Sequence, residues 1–177
     1  MKHIVKLIII LSFLSPVCHA QKIETEEEYK VFHDSIVSKL KLAEKKANNC
    51  AGKPFSELVK HLDKNGIKIM RAGIDYDTRK LYPEEVYGLR LYFTTPENNR
   101  FAWIHDLEQP FIIIEFDGSK PFEKALSLTK KYQSCFEKEV EAFYSDAVIK
   151  SINFYDLDTN NIYKRIRILR TKSKSNE

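Results

Sequence analysis

The chain has 177 residues, with 29 Lys and Arg against 25 Asp and Glu and a formal net charge of +4. A charge this close to balance excludes a general electrostatic pull toward nucleic acid or an anionic membrane surface. The length suits one domain with its own core.

The first twenty residues have the pattern of an export signal. Lys2 and Lys6 form a positive start, Ile8 to Leu14 is an apolar run broken only by Ser12, and Cys18-His19-Ala20 ends in a small residue. Cleavage after Ala20 leaves Gln21 as the first mature residue. The apolar run is shorter than the roughly 20 residues a membrane span needs. A lipoprotein anchor on Cys18 is the competing reading, and Val17 sits where such a signal has a small residue. Cleavage removes Lys2 and Lys6 and no acid, leaving 27 basic and 25 acidic side chains. The expected location is the periplasm or the exterior, the lysine-, isoleucine- and asparagine-rich composition suggests a bacterial source, and the mature chain has no transmembrane anchor.

Thr25 followed by Glu28 is a capping box. Tyr29, Phe32, Ile36, Leu40, Ala43 and Ala47 then repeat at helical spacing, with His33 at the edge of the stripe. Asn48, Asn49 and Gly52 stop this helix. Pro54 at the first helical position starts a second one, with Phe55, Leu58, Val59 and Leu62 on its buried face. Gly66 ends it in the left-handed conformation.

From Ile67 the period changes to two. A strand is expected from Ile67 to about Ile74, and a loop from Asp75 to Glu85. Tyr87, Leu89, Leu91 and Phe93 mark a second strand. Pro96 to Asn99 reads as a turn, and Phe101, Trp103 and His105 as the alternating residues of a hairpin partner. Phe111 to Phe116 reads as a strand buried on both faces, closed by Asp117-Gly118-Ser119. A third helix follows Pro121, and its apolar spacing runs unbroken to Ala147. A strand over Val148 to Asp156, a turn at Asp158 to Asn161 and a strand over Ile162 to Ile168 complete the pattern.

The order is α-α-β-β-β-β-α-β-β. This is an α+β domain over 21–171, with an antiparallel sheet of about five to six strands carrying its helices on one face. Residues 1–20 are the signal and 172–177 a polar tail.

Cys50 and Cys135 remain after cleavage, and in an exported protein an isolated pair reads as a disulfide. No cofactor motif is present. Gly52-Lys53 lacks the upstream glycine and the Ser or Thr of a phosphate loop. Asp156 to Asn160 opens like a calcium loop, but Asn161 and Arg167 replace the required Gly and Glu. His33, His61 and His105 have no zinc spacing. His105 with Asp106, and Glu115 as a further acid, form the catalytic candidate for a small exported hydrolase. Lys164 to Lys174 is a basic run that reads as a solvated, edge-protecting face. Tyr92 and Trp103 are the candidate binding surface, on the condition that the sheet face away from the helices is open. The reading that follows is a non-enzymatic envelope domain, whose partner is an envelope protein or ligand and is not nucleic acid.

Overall fold

The computed structural model describes residues 23–75 and 84–157. The signal, the calcium-like turn beyond Leu157, the strand expected at 162–168 and the basic run therefore lie outside the described residues. The element order is α1 (Glu26–Ala47), a 3₁₀ turn (Asn48–Cys50), α2 (Phe55–Lys64), β1 (Arg71–Asp75), β2 (Glu85–Tyr92), α3 (Pro96–Ile104), β3 (Phe111–Pro121), α4 (Phe122–Lys131), α5 (Lys138–Tyr144) and β4 (Ile149–Tyr155). The fold is α+β, and among the described residues four strands, not the expected five to six, form one antiparallel sheet in the order β1-β2-β3-β4, because the segment expected as a hairpin strand is α3.

The capping box of α1 forms as its residue types require. Glu28 N–H donates to Thr25 Oγ1 at 3.1 Å, and Thr25 N–H donates to Glu28 Oε2 at 3.2 Å. The buried stripe of α1 includes His33 in place of the partly buried Phe32. The second helix ends as expected, with Gly66 at φ +66° and Ile67 N–H closing back on Leu62 O at 3.0 Å. Pro54 is the N-cap of α2, one residue before the expected first position. Pro121 is likewise the N-cap of α4. The amides of Phe55 and Phe122 that follow them donate outward, to Ala147 O and Glu84 O.

Four elements differ from the sequence expectation, the first two for local reasons. Residues 96–104 are helical where a turn and hairpin strand were expected. Thr95 is their N-cap, accepting from Asn98 N–H at 3.2 Å, Pro96 opens the first turn and Glu97 suits its dipole. The long third helix is two helices, broken at 132–137. Its apolar spacing continues through the break, but Gln133 and Ser134 both take positive φ. Ser134 N–H reaches Thr129 O at 2.9 Å in a closing bond of the Schellman type, with Gln133 where glycine is usual. The strand expected from Ile67 begins only at Arg71, and β3 runs past Gly118 and Ser119 to Pro121.

Alternation sorts the sheet residues onto two faces. The row Ala72, Leu91, Ile112, Phe154 and the row Ile74, Leu89, Ile114, Ile152 are paired across the four strands. They pack in one core with Leu40 and Ala43 of α1, Phe55 and Leu58 of α2, Leu128 of α4 and Tyr144 of α5. The helices that build this core therefore share one face of the sheet. A smaller cluster of Ile23, Tyr29, Ala102 and Leu107 ties α3 to the start of α1.

The Cys50–Cys135 bridge is not formed, and Cys50 is a free, buried thiol. Cys50 lies in the turn packed at the start of β4, where Gly52 N–H donates to Ile149 O, whereas Cys135 bridges to Arg71 on β1. These are opposite edges of the sheet, and three strand spacings are about 14 Å. A disulfide needs Cα atoms within about 7 Å. Burial pushes the Cys50 thiol up, away from the reactive thiolate.

Candidate binding face

The sheet's other face carries three rows. Arg71, Tyr92, Phe111 and Tyr155 form the first, Gly73, Arg90, Ile113 and Asn153 the second, and Asp75, Gly88, Glu115 and Ser151 the third. The strands position these residues by alternation alone, since each is one step out of phase with a core residue. Tyr155 is 41% exposed, Asn153 and Glu115 are exposed, and Tyr92, Phe111 and Ile113 are partly exposed.

The first row is built from stacked planes. The Arg71 guanidinium lies over the Tyr92 ring at 5.2 Å, and that of Arg90 over the Phe111 ring at 5.3 Å. Phe111 and Tyr155 stack at 4.8 Å with 7° between their planes. Arg90 Nη2 donates to Asp75 Oδ1 at 3.1 Å, and Lys150 stands 3.9 Å from Glu115. Arg71 Nε and Nη1 and Arg90 Nε are shielded from solvent and have no hydrogen-bond partner. Burial lowers the pKa of Arg71, the mark of a cation removed from water.

Of the two residues expected on a binding surface, Tyr92 is in this row. Trp103 is on α3, 76% exposed, and takes no part in the sheet. Sequence reading missed Arg71, Arg90, Phe111 and Tyr155. Their signal was the strand phase, which becomes usable only once the register fixes which phase is buried.

The catalytic candidates are not brought together. His105 caps α3, stacks on Phe101 at 4.2 Å, and has Nδ1 3.1 Å from Glu26 Oε1. Asp106 takes φ 56°, and its successor Leu107 closes the helix on Ala102 O at 2.7 Å, so Asp106 occupies a helix stop. Glu115 is on β3 between Gly88 and Ser151, beside Lys150. His61 Nε2 contacts Ala43 O at 3.1 Å, which joins α2 to α1. Among the described residues no group of three His, Cys, Asp or Glu is placed to hold a metal ion. No helix among them is long and apolar enough to cross a membrane.

His33 is wholly buried, and neither ring nitrogen has a hydrogen-bond partner. Burial lowers its pKa, against the opposing pull of Asp34 at 3.7 Å and of Asp156, while Lys41 adds to the lowering. The folded state therefore takes up this proton less readily than the unfolded chain, which binds it near pH 6.5. Stability is lost as pH falls below that value, by at most about 1.4 kcal/mol per pH unit. His33→Phe should remove this loss: between about pH 7.5 and about pH 5 its thermal midpoint should fall less than that of the wild type. Parallel midpoints across that range would contradict the assignment.

Comparison with protein-family models, with curated proteins and with solved structures returns no match for this chain. The described residues form an α+β domain with its core helices on one face of the sheet and partly exposed side chains on the other.

Proposed function

We propose that the chain is an exported, non-enzymatic domain of the cell envelope that binds a partner through the sheet face opposite its helices. The observation that carries this is the row Arg71, Tyr92, Phe111, Tyr155, which groups aromatic and cationic side chains on one partly exposed sheet face. Tyr and Arg are the side chains enriched at binding hot spots. Export rests on the signal pattern of residues 1–20.

The alternative, a small hydrolase around His105 and Asp106, has less support. Asp106 is used in the helix stop, and the hydrogen-bond partner of the His105 ring among the described residues is a carboxylate and not a hydroxyl or thiol.

The test is site-specific photo-cross-linking of the exported protein in whole cells. A photoreactive residue at Asn153, exposed beside the row, should give a discrete adduct. The same residue at Lys124, exposed on α4, should not. No adduct from position 153, or the same adduct from both positions, would overturn the reading.

A further inference from the structure

We propose that the open face receives a short, extended acidic peptide, with one carboxylate on Arg71 and a second, two residues along, on Arg90; this rests on the binding reading above.

The charges on the face call for an anion. Among the described residues Arg90 has Asp75 and Lys150 has Glu115, whereas Arg71 has no carboxylate in contact. Glu97 acts on Arg71 only through space. A guanidinium with two nitrogens that have neither water nor an acceptor is costly to hold charged, and a carboxylate brought against the rest of the group offsets that cost by charge attraction.

The rings select against a stacked ligand. Phe111 has Tyr155 on one side and Arg90 over its ring, and Arg71 covers Tyr92. With Phe111 flanked by Tyr155 and Arg90, its edge remains for a visitor. An aromatic edge is the positive part of the quadrupole, so it attracts an anion and offers no stacking plane to a base or a sugar.

Spacing selects a peptide over a free phosphate. Arg71 pairs with Tyr92, so Arg90 is its diagonal neighbour on the same face. Diagonal neighbours stand about 7–8 Å apart. Alternate side chains of an extended peptide are about 6.8 Å apart on one side. The three rows cover about 14 Å in each direction, an area well under the roughly 800 Å² per partner that a globular interface needs. Apolar side chains of the same peptide can settle on Ile113 and the ring edges, which a phosphate ion cannot exploit.

The experiment uses fluorescence anisotropy with a labelled hexapeptide alternating Glu and Val at about 20 mM salt, where screening is weak. The control peptide alternates Gln and Val. The wild type should bind the acidic peptide and not the control. Arg71→Gln should weaken binding about tenfold or more, as the loss of a charge-assisted contact does. Lys124→Gln, which makes the same charge change on α4, should leave binding within about twofold, since α4 packs on the opposite face of the sheet and offers the peptide no contact. Asn153→Glu adds a like charge to the exposed face without touching the core, and should also weaken binding. Equal loss in the Arg71 and Lys124 variants, or binding of both peptides alike, would overturn the proposal. So would complete displacement by inorganic phosphate at concentrations where the Gln-Val peptide has no effect. If the adduct from position 153 persists while the acidic peptide neither binds nor competes, the ligand class is wrong and the sheet-face reading stands. If the adduct is absent as well, both fall.

Discussion

Replacing Phe55 with Ala should destabilise the protein by about 3–5 kcal/mol, the range for a buried phenyl ring. Phe55 is wholly buried at the first position of α2. Its ring meets Phe116 at 6.1 Å, Phe136 at 6.2 Å and Tyr144 at 6.5 Å, each close to edge-on. It therefore joins α2 to β3, to α5 and to the break between α4 and α5. Few rearrangements can refill a site walled by three large rings on separate elements, so the cavity term should be near the top of its range. A typical stability is about 5–15 kcal/mol, so the loss is a third or more of the total. Urea denaturation followed by circular dichroism measures it. Phe55→Leu keeps most of the volume and should cost less than about 1.5 kcal/mol, which preserves the test if the alanine variant does not fold. Trp103→Ala, at a 76% exposed site, should stay within about 0.5 kcal/mol of the wild type. A Phe55→Ala loss no larger than that of Trp103→Ala would remove Phe55 from the centre of the core.

The break near Phe136 shows why part of the fold was not legible in sequence. The capping box at Thr25 and Glu28 and the stop at Gly66 use residue types that only a few backbone geometries favour, and both were read correctly. Asp106 and Gln133 stop their helices in the same left-handed conformation without glycine or asparagine. Neither residue announces that role. At 132–137 the apolar spacing also runs on, because Tyr132 and Phe136 pack against the core from the connection itself. At 96–105 two signals conflicted. Phe101, Trp103 and His105 alternate like a strand, while Thr95, Pro96 and Glu97 spell a helix start. The capping chemistry won, because Ala102 has the tertiary contacts, with Tyr29 and Leu107, and Trp103 faces water. The binding face was legible only as a condition. Tyr92 was singled out from its own strand, but Arg71, Phe111 and Tyr155 join it through pairing partners 19 to 44 positions away in sequence, a relation no local pattern contains.

Gly88→Ala should cost about 2–3 kcal/mol and should disturb the open face from below. Gly88 lies in β2, between Asp75 of β1 and Glu115 of β3, next to the register shift after Val86. A Cβ at this position would stand 2.6 Å from the Ile114 carbonyl oxygen and 3.5 Å from Asp75 Cβ. The first contact is with backbone in the middle of a paired sheet, so it cannot be relieved by turning a side chain. Either β2 and β3 separate locally, at the expense of ladder hydrogen bonds, or the strain is held in the backbone, and overpacking of this kind costs about 1–3 kcal/mol. Gly118→Ala is the matched control, because its added Cβ meets nothing within 4 Å and its backbone is outside the left-handed region. That change should be neutral or stabilising by up to about 1 kcal/mol, through the lower entropy of the unfolded chain. The denaturation midpoint of Gly88→Ala should fall with an unchanged slope, as for a folded state that is strained but still compact. Because Arg90 of β2 lies over Phe111 of β3, separation of these strands should also weaken binding of the acidic hexapeptide, whereas Gly118→Ala should leave it bound. Equal midpoints for the two alanine variants would mean that the close approach at Gly88 is not a constraint on this sheet.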